Sequence, residues 1–249
     1  MAEEVWPDAE PFSFEGGKTG VMVVHGFTGC TQSMLPLGEG LAAAGYTVTG
    51  PRLPGHGTSV KDLGTRKWDE WTGVAEKGLV DLLDRCDKVF VTGLSMGGTI
   101  TCYLGERYAG KLAGIMPINA AVAKLNPLMP LTPVVKYVLK TIPGVGSDIK
   151  DPDIEESCYD KVAVPAAAEL HALMKLTRRD LAKITGPILV FTSREDHVVP
   201  PDNGAFIMEH VSSQDKEQVW LENSYHVATI DYDKQLIIDR CLEFIQRLA

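Results

Sequence analysis

The sequence predicts an α/β protein with a mostly parallel sheet, flanking helices and an inserted cap. Short continuous apolar runs, such as residues 20–24 and 187–192, are typical of strands covered on both faces, as in parallel sheets. These runs alternate with amphipathic segments of helical length, such as residues 68–83. Strands that alternate with helices form right-handed parallel crossovers, so we expect one doubly covered sheet.

The first half of the chain contains five predicted strands and three predicted helices. An apolar or β-branched run defines each strand, and Gly45 marks the end of the first helix. A loop rich in glycine and proline follows the third strand at residues 51–57. The predicted strands are residues 11–15 (a short edge strand), 20–24, 46–49, 88–92 and 112–118, and the predicted helices are residues 33–44, 68–83 and 100–107.

The alternation of strands and helices stops after Asn119 and returns near residue 187. Residues 120–183 instead hold an apolar segment interrupted by prolines, an acidic loop and a helical run. We interpret them as a cap inserted into one core domain, which consists of residues 1–119 and 184–249. The acidic loop spans residues 148–156, the helical run residues 166–181, the returning strands residues 187–192 and 218–221, and the final helix residues 232–248.

Composition and charge exclude some classes of protein. The chain has 249 residues, of which 45% are hydrophobic and 23% charged, a balance typical of one α/β domain with insertions. The net charge of -9 argues against a nucleic-acid partner, which requires clustered Lys and Arg. We therefore expect a small-molecule partner rather than a polyanion.

The cysteines and the amino-terminal segment indicate a cellular compartment. Five scattered cysteines without a C-x-x-C pair suggest neither a disulfide framework nor a zinc site, and we expect free thiols in a reducing compartment. The amino-terminal segment is acidic, and no apolar run approaches membrane-spanning length. These observations predict a cytoplasmic protein.

The stretch at residues 89–99 is the first candidate for a functional site. Its residues 93–97 fit the G-x-S-x-G pattern of a nucleophile elbow, in which a serine lies at a sharp turn between a strand and a helix. A predicted strand precedes Ser95 and a predicted helix follows it, as this turn requires. An ordinary glycine-rich turn with a surface serine is the alternative.

A serine nucleophile needs a base, and the base needs an acid that orients it. In parallel sheets, ligands bind at the carboxyl ends of the strands, and two predicted strands end just before an acid and a histidine. Asp196 and His226 hold these places, and the order Ser95, Asp196, His226 is one known for catalytic triads. Glu195 is the neighbouring alternative. We favour Asp196 because a shorter acid suits a tight turn after a strand.

Acyl transfer also requires donors for the oxygen that becomes negative in the transition state. The residue after the nucleophile provides one backbone N–H, which assigns Met96, and the loop after residues 20–24 provides the other, which we assign to Phe27. A metal site at His25 and His56 is conceivable, but these histidines lack ligand spacing. We predict neither a metal nor an organic cofactor.

Five short motifs lie at the predicted loops. They are HGFTG at residues 25–29, RLPGHG at 52–57, GLSMGG at 93–98, DHVVP at 196–200 and SYHV at 224–227. Together they resemble the bacterial monoacylglycerol lipases and the similar small carboxylesterases of the α/β-hydrolase fold. The resemblance covers the chain from about residue 11 to its end. Haloalkane dehalogenases share this fold but have an aspartate as nucleophile, so Ser95 argues against them.

The resemblance also implies a cap that closes an apolar acyl channel and holds polar groups around a glycerol head. By position it implies three substrate-binding residues: Asn119 at the end of the strand before the cap, Val145 beside the head-group pocket, and Glu156 as the acceptor for glycerol hydroxyls. A solvated acidic loop is the alternative for Glu156, and Glu155 is the neighbouring candidate.

The first part of the cap is apolar on nearly all sides. We expect most of these side chains to form the core of the cap and a minority to face an acyl chain, whose burial contributes about 0.8 kcal/mol per methylene. An exposed part of this surface would permit transient contact with a micelle or membrane. The residues are Leu125, Leu128, Met129, Leu131, Val134, Val135, Tyr137, Val138, Leu139 and Ile142.

We therefore expect a serine hydrolase that cleaves the ester bond of monoacylglycerols through an acyl-enzyme. A carboxylesterase of broad specificity for short to medium acyl esters is the alternative, and an acyltransferase or a non-catalytic ligand binder with this fold are more distant ones. Since a base must be neutral, His226 predicts that activity falls below about pH 6–7. The sequence leaves both a monomer and a homodimer open.

Overall fold

The computed structural model describes residues 3–125 and 127–249, and a seven-stranded sheet forms its centre. The spatial order of the strands, numbered along the chain, is 1-3-2-4-5-8-9, and strands 6 and 7 form a separate pair. Strand 1 pairs antiparallel with strand 3, and the other neighbours in the large sheet pair parallel. The strands are β1 (Phe12–Phe14), β2 (Thr19–Val24), β3 (Thr47–Gly50), β4 (Lys88–Leu94), β5 (Gly114–Ile118), β6 (Thr141–Pro143), β7 (Lys161–Ala163), β8 (Ile188–Ser193) and β9 (Lys216–Leu221).

Helices cover both faces of this sheet. In β2, Met22 and Val24 belong to one buried apolar cluster and Val21 and Val23 to another, because successive side chains of a strand point to opposite faces. The continuous apolar run thus reflects burial on both sides. The helices are α1 (Leu35–Ala43), α2 (Val60–Leu63), α3 (Trp68–Arg85), α4 (Met96–Arg107), α5 (Thr132–Val135), α6 (Val164–Asp180), α7 (Asp202–His210) and α8 (Lys234–Leu248).

The predicted fold class is confirmed, since every strand predicted for the sheet is present within two residues of its predicted bounds. The helix after the elbow begins earlier than predicted, at Met96 rather than residue 100, because the helix starts directly after the turn. The pair β6 and β7 is absent from the prediction. Its strands have three residues each, too few for a periodic pattern to appear.

The inserted residues 120–183 differ in how far they join the core. Helix α6 packs against α3 and α4 and buries Leu170, Leu173 and Met174 in the same cluster as one face of the sheet. The earlier part, with α5 and β6, leaves large apolar side chains exposed, so the expectation that most of them form the core of the cap is wrong. The limits of the cap as a separate unit stay a prediction.

The cysteines and the hydropathy of the helices bear on two expectations from the sequence, namely free thiols and the absence of a membrane-spanning segment. The five cysteines are free thiols, and Cys30, Cys102 and Cys241 are buried. Among the described residues, none of the helices combines the length and the apolar character that a bilayer crossing needs.

Candidate active site

Ser95 lies at the turn between β4 and α4 with an unusual backbone conformation. Its φ of 58° and ψ of -115° fall outside the regions that L-residues commonly adopt, and such strain in a non-glycine residue clusters at functional sites. The Ser95 N–H donates to the carbonyl of Ile118 at 2.9 Å, and its carbonyl accepts the N–H of Thr99 at 3.0 Å. These bonds hold the serine at the carboxyl edge of the sheet.

Two glycines make this sharp turn possible. A Cβ on Gly97 would collide with the carbonyl oxygens of Val24 and His25, and a Cβ on Gly93 would collide with the carbonyl group of Gly97. Only glycine fits at either position, so packing requires both glycines of the G-x-S-x-G pattern. This close approach brings the end of β2 against the start of α4, beside Ser95.

Asp196 and His226 form a buried, hydrogen-bonded pair in the loops after β8 and β9. The Nδ1 of His226 lies 2.8 Å from Oδ2 of Asp196, and the two side chains are 8% and 1% exposed. The other carboxylate oxygen, Oδ1, accepts the N–H groups of Val198 and Val199 at 2.9 Å and 2.7 Å. Because a carboxylate only accepts, His226 carries its proton on Nδ1, and Nε2 is the basic nitrogen.

The surroundings of His226 make it a stronger base. Burial alone lowers its pKa, but the charge and the hydrogen bond of Asp196, with smaller contributions from Glu156 and Asp148, raise the pKa of His226 above its usual value. Only the neutral imidazole can take a proton from a serine. His226 is therefore competent as a base at pH values above this raised pKa.

Residues Ile118 and Asn119 link Ser95 to His226. Ile118 accepts the Ser95 N–H, and the Nδ2 of Asn119 donates to the carbonyl of His226 at 2.8 Å. The Ser95 hydroxyl makes no hydrogen bond to His226 within the described residues. Such contacts often form only in the substrate complex, so the apo geometry is compatible with a triad.

The loop after β2 lies directly beside Ser95. A Cβ added at Gly26 would be 3.4 Å from the Cβ of Ser95. Within residues 3–125 and 127–249, neither the N–H of Phe27 nor that of Met96 has a backbone acceptor outside the regular elements. Thr28 has a φ of 67°, which is strained for a β-branched residue. The loop that carries Phe27 thus lies beside Ser95, and the oxyanion roles of Phe27 and Met96 stay a prediction.

His25 and His56 are buried beside the loop after β2, at residues 25–29. The Nε2 of His25 accepts the N–H of Leu53 at 3.0 Å, and its Nδ1 donates to the carbonyl of Gly26 at 2.9 Å. Burial lowers the pKa of His25 to about 4 and also holds the pKa of His56 well below its usual value, so both rings are neutral. Their ring centroids lie 5.0 Å apart in an edge-to-face arrangement.

The structure supplies no candidate metal centre in its described part. Residues 3–125 and 127–249 contain no group of three or more His, Cys, Asp or Glu side chains arranged to hold a metal ion. Since both nitrogens of His25 already have protein partners, a metal ion there would have to replace those hydrogen bonds.

Glu156 and its neighbour Glu155 have opposite environments. Glu155 is exposed, whereas the half-buried Glu156 lies against Gly29, where an added Cβ would collide with its Oε1. The side chains of Cys158 and Ser33 lie near its carboxylate and act to lower its pKa. Burial raises the pKa of Glu156 to about 7, and the nearby charge of His226 opposes this effect. Of these two glutamates, Glu156 is therefore the one that lies close to His226.

Asn119 and Val145, the other two residues assigned to the head group, lie in different settings. Asn119 has a φ of 43° and is buried, and its Nδ2 donates to the hydroxyl of Ser193 at 2.9 Å as well as to His226. Its Oδ1 accepts the Ser193 N–H at 2.8 Å. Both amide protons are used inside the protein. Val145 is 66% exposed and lies on the loop that leads to Glu156.

Two buried aspartates that no sequence pattern marked also hold the loops of the site. Asp148 accepts the N–H of His226 at 3.1 Å. Asp231 accepts the N–H groups of Lys150 and Tyr225 at 2.8 Å and 2.9 Å, and so ties the acidic loop to the loop of His226. In the sequence these residues look like other acids in polar loops. Only their burial distinguishes them.

The chain is similar to known proteins along most of its length. The model of the family described as "Serine aminopeptidase, S33" matches residues 17–233. A thermostable monoacylglycerol lipase from Bacillus sp. (strain H-257) is 47% identical over 254 residues, which cover 100% of each chain. A carboxylesterase from Bacillus subtilis (strain 168) is 28% identical, over 96% of this chain and 97% of that protein.

Solved structures show the same similarity. A structure described under "LipS and LipT, two metagenome-derived lipolytic enzymes" superposes with a TM-score of 0.95 at 44% sequence identity. The match covers 98% of this chain and 100% of the other one. The fold of this chain is therefore shared with that protein.

Proposed function

Since the chain belongs to the "Serine aminopeptidase, S33" family and has the α/β-hydrolase fold, we propose that it hydrolyses monoacylglycerols to fatty acid and glycerol. The observation that carries this proposal is the pair of Asp196 and His226 at the edge of the sheet that presents Ser95, with the half-buried Glu156 beside it. The 47% identity to a monoacylglycerol lipase supports the same substrate.

In the proposed mechanism, the Oγ of Ser95 attacks the acyl carbonyl carbon while His226 takes the proton of the Ser95 hydroxyl. Asp196 holds the imidazole and stabilises its positive charge, and the N–H groups of Phe27 and Met96 stabilise the oxyanion. His226 then gives the proton to the glycerol oxygen, the ester C–O bond breaks, and the acyl-enzyme remains. Water, deprotonated by His226, attacks this ester, and the fatty acid leaves with Ser95 restored.

Glu156 gives the site a means to recognise glycerol. A monoacylglycerol keeps two free hydroxyls on its alcohol, whereas the methyl ester of the same acid has none. A half-buried carboxylate that loses its hydroxyl donors is left poorly solvated, so a site of this kind discriminates against the simpler ester. Val145 lies on the same loop and would border the glycerol carbons. In this proposal Asn119 acts mainly by holding His226.

We expect Glu156→Ala to lower kcat/KM for a monoacylglycerol about tenfold or more, relative to the methyl ester of the same acid, because the acceptor for the glycerol hydroxyls is lost. Titration of the acid released from both substrates measures this ratio in the wild type and the variant. Glu155→Ala is the matched control, since that side chain is exposed, and we expect it to leave the ratio unchanged.

A carboxylesterase of broad specificity is the second candidate, and the 28% identical carboxylesterase favours it. It predicts that the wild type cleaves methyl and glycerol esters of one acid at similar kcat/KM values. It also predicts that Glu156→Ala does not change their ratio. Both results together would replace the lipase proposal with this one.

The cap presents apolar side chains to solvent. Val138 is 90% exposed, Tyr137 76% and Val134 73%, and all three lie between α5 and β6 or within α5. Apolar surface of this kind on one segment is typical of a docking site. Because long-chain monoacylglycerols reside in micelles and membranes, we propose that this surface makes transient contact with the surface of a micelle or membrane.

We expect Val138→Ser to lower turnover of monoolein in phosphatidylcholine vesicles about two- to fivefold, because the docking surface loses apolar area. Hydrolysis of a water-soluble butyrate ester by the same variant should stay unchanged. Val80→Ser is the control, because it makes the same substitution at an exposed valine on α3, away from the proposed docking surface. Equal rates of both valine variants on vesicles would remove the docking surface from the proposal.

A cytoplasmic location is also part of the proposal. The five free cysteines support it, since free thiols persist in reducing compartments.

A further inference from the structure

Asp148 joins the acidic loop to both loops that carry the catalytic pair. It is 9% exposed and lies between β6 and β7. Its Oδ2 accepts the N–H of His226 at 3.1 Å and that of His197 at 3.2 Å, and its Oδ1 accepts a hydrogen bond from Nδ1 of His197 at 2.8 Å. Its own carbonyl accepts the N–H of Val227 at 3.1 Å. Four hydrogen bonds from two loops converge on this residue.

The backbone of His226 depends on such contacts, because the residue lies in an irregular loop after β9. Asp148 binds its N–H, and Asn119 binds its carbonyl. Two side chains from different parts of the chain therefore hold the two peptide groups that flank the Cα of His226. A displacement of about 1 Å in a catalytic group can lower a rate about 100-fold, so these bonds matter for proton transfer.

The ion pair between Asp148 and His197 is a less important part of this arrangement. The ring of His197 is 51% exposed, and exposed ion pairs contribute little to stability. The hydrogen bond that His197 donates to Asp148 raises the pKa of His197, and the charges of Glu195 and Asp196 act in the same direction. The buried contact of Asp148 is the one to the backbone of His226.

We propose that Asp148 is a positioning residue that sets the place of His226 and ties it to the loop bearing Glu156. Ser147, the preceding residue, accepts the N–H of Glu156 at 3.2 Å, so adjacent residues hold the backbones of Glu156 and His226. The proposal rests on the function proposed above only through the role of His226 as the base. It makes no use of the identity of the alcohol.

Three variants separate the backbone contact, the charge and the ion pair. Asp148→Ala removes the acceptor for the His226 N–H, and we expect kcat on p-nitrophenyl butyrate to fall about 10- to 100-fold with little change in KM. Asp148→Asn keeps an oxygen for this N–H, while His197 adopts its other tautomer, so it should restore kcat to within about threefold of the wild type. His197→Ala keeps the contact between Asp148 and the His226 N–H, so its kcat should also stay within about threefold of the wild type.

The pH profile supplies a readout that a purely structural role would not change. Asp196, Glu156 and Asp148 are the charged groups that raise the pKa of His226. Loss of the Asp148 charge in either variant should therefore move the acid limb of kcat/KM to lower pH, and His197→Ala should not. Thermal melting and complete labelling of Ser95 by a fluorophosphonate confirm that each variant is folded.

The outcomes are distinct. The proposal is overturned if Asp148→Ala keeps its kcat within twofold, if His197→Ala reproduces its loss, or if the acid limb stays in place in Asp148→Asn. If Asp148→Ala does not fold, the position of the acid limb of kcat/KM in Asp148→Asn tests the proposal in its place. A wild type that cleaves p-nitrophenyl butyrate but prefers no glycerol ester contradicts the proposed substrate and leaves this test intact.

Discussion

Ser95→Ala should abolish ester hydrolysis and leave the fold unchanged. We expect kcat to fall by about 10⁴- to 10⁶-fold, because no acyl-enzyme can form and only binding and oxyanion stabilisation remain. The hydrogen bonds that hold the turn use the backbone of Ser95, with Ile118 and Thr99 as partners, and alanine keeps both. The glycines around the turn are likewise untouched. A melting temperature near that of the wild type should accompany the lost activity.

Activity on p-nitrophenyl butyrate and labelling by a fluorophosphonate probe check this prediction. Both should disappear together, since the probe reacts with the same activated hydroxyl. Ser212→Ala is the control, because this serine is exposed, and it should retain full labelling. Turnover that persists in pure Ser95→Ala would assign the nucleophile elsewhere.

Asp196→Asn should lower kcat by about 10³- to 10⁴-fold, because it changes the protonation of His226 without removing a side chain. The N–H groups of Val198 and Val199 require an acceptor, so the amide oxygen takes the place of Oδ1. The NH₂ group then faces Nδ1 of His226, which must accept instead of donate. The proton moves to Nε2, and the nitrogen that faces the serine is no longer basic.

Steady-state kinetics above the pKa of His226 measure this loss, and KM should change little. Glu195→Gln is the matched control, since Glu195 is 53% exposed and pairs with Lys150 at 3.1 Å on the surface. We expect that variant to keep its activity within about twofold. A larger loss in Glu195→Gln than in Asp196→Asn would exchange the roles of the two acids.

The choice between these acids illustrates where sequence reasoning ends. Glu195 and Asp196 are adjacent carboxylates after the same strand, and only a preference for the shorter side chain separates them in the sequence. In the folded chain, Asp196 accepts three hydrogen bonds and is buried, whereas Glu195 lies at the surface. Adjacent residues differ in this way because a tight turn points their side chains in different directions.

A similar limit applies to Asn119. The resemblance to lipases assigned its side chain to a glycerol head, from its place at the end of a strand. Its contacts with Ser193 and His226 join the end of β5 to the end of β8 and to the loop after β9, and these partners lie 74 and 107 residues away along the chain. No local pattern encodes such partners. They exist only once the sheet has brought the strand ends together.

The sequence by itself determined the sheet, the elbow and the order of the candidate triad. Burial on both faces requires continuous apolar strands, and the turn at Ser95 admits only glycine at Gly93 and Gly97. Each of these constraints acts on a short stretch of sequence, so each is visible there as a local pattern. The tertiary structure alone decided that Asp148 and Asn119 hold His226 and that Glu156, rather than Glu155, lies close to it. These roles arise from burial and hydrogen bonds between distant segments, and the same polar residues would look like ordinary loop residues in any unfolded chain.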